Sequence, residues 1–169
     1  WAKESIEGLY KAGVVNGKGN QKFCPGDYVL REEFVKMLVS TFGLKLVGED
    51  LPFVDVPENA WYYDYVKTAY IAEVVNGISA TEFGTGQNIS RQDICTMTYR
   101  MLKECDVTIG EMNQEMVFSD SEDIADYAKE AVYAAKTAGI ISGVGNNTFN
   151  PKGFANRAEA AQIVYNTIR

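Results

Sequence analysis

The chain contains no histidine. Serine–histidine and cysteine–histidine catalysis, and every histidine-ligated metal site, are thereby excluded. Cysteine is scarce. Cys24, Cys95 and Cys105 are an odd number at unpatterned spacing, with no Cys-x-x-Cys pair, which argues against a zinc site and for free thiols. Cys95 is expected to be buried and the other two partly exposed. No apolar run approaches the ~18 residues of a membrane-crossing helix, so no membrane insertion is expected. Bases are the minority charge, 16 against 23 acids, for a formal charge of −7. A nonspecific nucleic-acid binder needs a basic face, so nucleic acid is not an expected partner, while a local basic pocket stays compatible. Apolar residues are not in short supply: 46% hydrophobic and 12% aromatic content builds a core and is inconsistent with disorder. The 169 residues open at Trp1 without an initiator methionine or a signal peptide, and read as an excised fragment forming one compact domain or a few small repeats.

What the chain does have is internal repetition. Arg31, Arg91 and Arg157 fall in related contexts, and 30 residues upstream of each stands an aromatic: Trp1, Trp61 and Tyr127. Segments 1–43, 61–103 and 127–169 superpose without a gap, with identical residues in the Ala12/Ala72/Ala138, Gly17/Gly77/Gly143, Phe23/Phe83/Phe149 and Arg31/Arg91/Arg157 columns. Chance does not align those columns across three segments. The second and third copies carry a lead-in, Phe53-Val54-Asp55-Val56 and Phe118-Ser119-Asp120, that the first lacks. The copies are therefore bounded at 1–43, 53–103 and 118–169, with connectors at about 44–52 and 104–117 and a surface loop expected at Ile109-Gly110-Glu111.

Each copy opens on a helical spacing, Ile6, Leu9, Tyr10 and Gly13 in the first. Gly13 and Gly139 suit a left-handed position ending that helix, whereas Glu73 in the second copy predicts a softer end. An apolar pair, a glycine and a Gly-Asn turn then lead to the common phenylalanine, an extended piece with room for one short strand pair per copy. The second helix starts at the arginine and buries Phe34, Val35, Leu38, Val39 and Phe42 or their equivalents. One such pair of helices is too small to be stable alone. The expected architecture is mainly α, three helix-loop-helix repeats in pseudo-threefold packing, with the second helices lining the axis.

Ser90-Arg91-Gln92-Asp93 and Asn156-Arg157-Ala158-Glu159 resemble capping boxes, whereas Leu30 cannot cap. A cation at the first helical position is disfavoured by ~0.3–1 kcal/mol. Two roles fit. Arg31, Arg91 and Arg157 bind an external carboxylate or phosphate together with helix N–H groups, or they pair internally with an acid such as Asp55 or Asp120 and pack on an aromatic. Trp1, Trp61 and Tyr127 either stack on sugar rings or staple the first helix to the core. Gly17, Gly77 and Gly143 either admit a ligand to the backbone or serve the turn.

The ordered motifs Trp1-Ala2, Gly13-Val14-Val15-Asn16-Gly17, Phe53-Val54-Asp55-Val56, Phe149-Asn150-Pro151 and Asn156-Arg157-Ala158-Glu159 resemble the S-layer homology domain, which usually occurs in three tandem copies. The resemblance covers nearly the whole chain apart from the connectors. It implies a three-pronged spindle with grooves between repeats, and noncovalent anchoring of an exported protein to the bacterial envelope. It further implies a secondary cell-wall polysaccharide as ligand, often with a pyruvylated terminal sugar whose carboxylate meets Arg31, Arg91 or Arg157, the glycines acting as backbone donors. Leu30, Gln92-Asp93, Thr85 and Tyr127 depart from the pattern.

The leading expectation is thus an extracellular, monomeric, non-catalytic wall-glycan module without a cofactor. The alternative is a protein-docking domain of an exported envelope protein, supported by an exposed apolar patch beside the connectors. A carboxylate glycosidase needs two acids facing each other at ~5–9.5 Å, and no motif singles out such a pair, so no catalytic residue is assigned. Arg91→Ala or Arg157→Ala is expected to weaken wall binding with the fold intact.

Overall fold

Each copy opens on a short amphipathic helix and closes on a second that starts at the arginine. The computed structural model describes residues 1–45, 48, 50–109 and 117–169; Gly110 and Glu111 of the expected surface loop lie outside them. The described helices are α1 (Lys3–Lys11), α2 (Arg31–Phe42), α3 (Tyr63–Ile71), α4 (Arg91–Glu104), α5 (Asp126–Thr137) and α6 (Arg157–Asn166). Leu9, Val66 and Val132 on the first helices, and Phe34, Ile94 and Ala160 on the second, are fully buried, as the apolar spacing requires. The fold is mainly helical, as expected. None of these helices is long and apolar enough to cross a membrane. Cys95 is buried and Cys24 and Cys105 half-buried, all as free thiols. Burial pushes the Cys95 thiol up to about 12, against the pull of Arg91, so it stays protonated and inert.

The first helices end alike. Val14, Val74 and Ile140 each donate a backbone N–H to the carbonyl of Leu9, Ala69 or Ala135, all at 2.9 Å. Closing that bond needs a left-handed residue before it, and Gly13 (φ +73°), Glu73 (φ +54°) and Gly139 (φ +69°) all comply. The softer end expected at Glu73 is therefore corrected: the bonds impose the same turn and leave a glutamate in a backbone region suited to glycine. Glu73→Gly should raise the unfolding free energy by about 1 kcal/mol, read as a higher urea midpoint at unchanged slope.

The described helices pair across copies rather than mainly within one. α2 packs on α3, α4 on α5 and α6 on α1. Each second helix thus takes the first helix of the next copy, and the third copy closes onto the first. Extended pieces ahead of the second helices seal the centre. Val29 N–H donates to Ala155 O (3.1 Å), Ala155 N–H to Ile89 O (3.2 Å) and Ile89 N–H to Val29 O (2.9 Å). That closed cycle takes one residue from each copy and defines the pseudo-threefold axis. The strand pairing for which each copy has room is instead mostly between copies: bridges join Tyr28 to Asn156, Leu30 to Asn88 and Ser90 to Phe154, and among the described residues only Gly145–Thr148 lies within one. The second helices start two residues beyond this ring, and α2 touches both α4 and α6.

The lead-ins fasten the phenylalanine plugs. Phe53 packs on Phe83 at 5.9 Å and Phe118 stacks on Phe149 at 5.2 Å between ring centroids. Asp55 accepts the N–H groups of Phe83, Gly84 and Thr85, each at 2.8 Å. Asp120 accepts those of Phe149 (2.8 Å) and Asn150 (2.7 Å).

Candidate functional site

The three arginines are the clasps between copies. Each crosses to the next copy, lays its guanidinium over the common phenylalanine, and donates from Nε to that residue's carbonyl. Arg31 does so at Phe83 (3.0 Å), Arg91 at Phe149 (2.8 Å) and Arg157 at Phe23 (2.9 Å). Each then pairs with an acid at the third position of the next second helix: Arg31–Asp93 at 3.0 Å, Arg91–Glu159 at 3.0 Å and Arg157–Glu33 at 3.7 Å. Only 5–8% of each arginine remains exposed. The expected internal partners, Asp55 and Asp120, are corrected by this geometry, because both are occupied by plug backbone.

The anion cradle expected at the helix starts is corrected at α4 and α6, where the first two N–H groups already have partners. At α2 the first is paired, and among the described residues no acceptor is found for the N–H of Glu32. Arg31, Arg91 and Arg157 donate theirs to Gln87, Gly153 and Asp27 carbonyls, and Gln92 and Ala158 theirs to Pro151 and Pro25. Asn156 and Glu159 form a complete capping box. Ser90 caps Asp93, but Asp93 spends its carboxylate on Arg31 and on Tyr127 Oη (2.8 Å) instead of reaching back. Leu30 has no acceptor to offer, so only the Glu33 half forms there.

Free donors lie one loop away. Among the described residues, the backbone N–H groups of Asn16 and Gly17, of Asn76 and Gly77, and of Ser142 and Gly143 have no acceptor. The glycines are needed for packing as well. A Cβ on Gly77 would stand 2.5 Å from the Glu82 carbonyl oxygen, and one on Gly143 2.5 Å from that of Thr148. The turn reading of these glycines thus has a steric basis, and their N–H groups remain unpaired beside it.

Beside each loop opens a cavity, and each draws on all three copies. The first, about 260 Å³, brings together Gly17, Arg157 and Trp61. The second, about 430 Å³, brings together Gly143, Arg91 and Trp1. The third, about 400 Å³, brings together Gly77, Arg31 and Tyr127. All nine residues singled out from sequence thus fall into three groups of one glycine, one arginine and one aromatic. The aromatics do not staple the first helices to the core: Trp1 is 83%, Trp61 60% and Tyr127 55% exposed. Burial, then the Asp93 carboxylate, pushes the Tyr127 hydroxyl up to about 12, so it stays a donor.

Residues 1–35, 52–95 and 117–161 match the S-layer homology domain. The chain belongs to the S-layer homology (SLH) domain family. It is 32% identical over 98% of its length to exoglucanase XynX of Acetivibrio thermocellus, of which it covers 15%. It is 29% identical over 99% of its length to the surface-layer 125 kDa protein of Lysinibacillus sphaericus, covering 14% of that protein. It is 25% identical over 99% of its length to an S-layer protein of Bacillus thuringiensis subsp. finitimus, covering 20%. The chain therefore spans a fifth or less of these relatives, and an enzyme name among them belongs to their other domains. SLH domains are non-catalytic anchoring modules that bind cell-wall polymers, which places this chain outside the cell and on the wall.

Several residues of the SLH grooves escape sequence reading. Lys36 and Arg100 enter their cavities from the flanks of α2 and α4, and Asp93, Glu159 and Glu33 sit beside the arginines. The signal for Lys36 was present: Lys36, Thr96 and Gln162 are the polar members of an aligned column inside an apolar helical pattern.

Proposed function

We propose that this SLH module anchors its protein by seating units of a secondary cell-wall polysaccharide, acidic or pyruvylated sugars included, in the three grooves. One observation carries the reading: each cavity joins a guanidinium, two unsatisfied loop N–H groups and an exposed aromatic ring from three different copies. The guanidinium and amides suit a sugar carboxylate and hydroxyls. The ring suits the C–H face of a pyranose. Arg31, Arg91 and Arg157 act here as largely buried charge at the groove floor, and Trp1, Trp61 and Tyr127 as the accessible contacts. The copies at 1–43, 53–103 and 118–169 act as one monomeric unit, since no single copy holds a whole groove. Several weak grooves on one polymer bind by avidity. The net charge of −7 opposes an anionic polymer at long range, and salt screens that repulsion.

Sedimentation with purified cell-wall sacculi, with and without their non-peptidoglycan polymer, tests this. The unaltered module should pellet only with polymer-bearing sacculi. The double replacement of Trp1 and Trp61 by alanine should weaken pelleting about tenfold, a loss of stacking worth ~1.4 kcal/mol, at an unchanged unfolding midpoint. Equal pelleting after polymer removal, or undiminished pelleting of the double variant, overturns the reading.

A further inference from the structure

The three grooves share a plan but not a charge. The groove of Arg157 is also lined by Lys36 and Lys18, against the single acid Glu33. The groove of Arg31 has Arg100 in addition, against Asp93, while the groove of Arg91 faces Glu159 with no second cationic side chain in its lining. In that last groove the position of Lys36 is taken by Gln162, and an asparagine, Asn166, stands one turn on.

Two further observations single out the first groove. Its ion pair is the loosest, 3.7 Å for Arg157–Glu33 against 3.0 Å in the other two. Lys36 donates to the Val14 carbonyl, but no carboxylate among the described residues pairs with it. Burial and the neighbouring Arg157 hold its ammonium below the ordinary lysine value. Lys18 is paired with Asp27 at 3.2 Å, so Arg157 and Lys36 are left to share a small cavity with one distant counter-ion. An entering anion relieves that repulsion, whereas in the Arg91 groove it meets a charge already neutralised.

We propose that the Arg157–Lys36 groove is the acid-selective site of this module, seating the carboxylated sugar, and that the Arg91 groove takes an uncharged stretch of polymer. This rests on the proposed wall-glycan function and deepens it. Lys36 is the residue that sets the difference, because the aligned Thr96 and Gln162 leave the other grooves without a cation at that place.

The test is a titration of the whole chain with sodium glucuronate, read from the backbone amide signals of Gly17, Gly77 and Gly143, one per groove. The Gly17 signal should saturate at a concentration about tenfold lower than Gly143, as one extra charge-assisted hydrogen bond allows. Lys36→Gln should remove that preference, and Gln162→Lys should confer a response on Gly143, with the remaining amide spectrum unchanged. Gly143 saturating as early as Gly17, no response at Gly17, or an unaltered Gly17 titration in Lys36→Gln overturns the assignment. Sacculus sedimentation separates the levels. Pelleting without a Gly17 preference sinks the groove assignment alone, and absence of pelleting in the unaltered chain sinks the anchoring reading itself.

Discussion

Arg91→Ala should lower the unfolding free energy by about 3 kcal/mol, the scale for deleting one partner of a buried ion pair. The side chain is 7% exposed and pairs with Glu159 at 3.0 Å. It also satisfies the carbonyls of Phe149 (2.8 Å) and Ser142 (3.1 Å) and covers the Phe149 ring at 5.2 Å. Truncation leaves a half-buried carboxylate without its cation and two carbonyls without their donor. Arg91→Lys should recover little, because one ammonium cannot reach a carboxylate and two separated carbonyls in a fixed fork. Guanidinium unfolding of the three proteins measures this, and a loss below about 1 kcal/mol would mean the clasp adds no more than a surface pair. The expectation of an intact fold after Arg91→Ala or Arg157→Ala is thereby replaced. Wall-binding loss in such variants mixes unfolding with a lost contact, which is why the exposed tryptophans make the cleaner probe.

Asp55→Ala should cost a similar amount, about 3 kcal/mol, since three N–H groups of one tight turn lose a charged acceptor. The loss should appear chiefly in the second copy's plug, where Phe83 is fully buried. Acid should do the same by protonation. Burial alone would raise the Asp55 carboxyl, but the backbone N–H groups of Phe83, Thr85 and Gly84 outweigh it and hold it below the ordinary value. A depressed folded value means that its stabilisation is complete above the unfolded pKa of ~3.9 and is lost as pH falls through the folded value. Urea midpoints at pH 7, 4 and 3 should therefore fall less steeply below pH 4 in Asp55→Asn than in the unaltered chain. Parallel curves would show that another carboxylate governs acid unfolding.

Much of this was legible because it is local or repeated. The apolar spacing around Leu9 and Phe34, the capping box at Asn156 and the left-handed turns at Gly13 and Gly139 depend on neighbours in sequence. The shared columns of glycine, phenylalanine and arginine announced a common task. What was misread depends on partners far along the chain. Asp55 and Asp120 looked like free partners for arginine until the plug backbone claimed them. The helix-start amides of α4 and α6 looked open until carbonyls of the neighbouring copy filled them. Trp1 and Trp61 were ambiguous because the same ring serves a core or a surface, and only packing decides which.

Sequence alone determined the threefold repetition, the two helices of each copy and the nine candidate residues, since each is written as a local pattern or a repeated column. Only the tertiary structure decided how those nine are grouped. Each arginine serves the copy after its own, and each aromatic comes from yet another, because helices pair across copies and a hydrogen-bonded ring closes the third onto the first. The charge that distinguishes the Arg157 groove was decided there too: Lys36 is one polar residue among many on a helix until folding sets it beside Arg157 with a single acid for company.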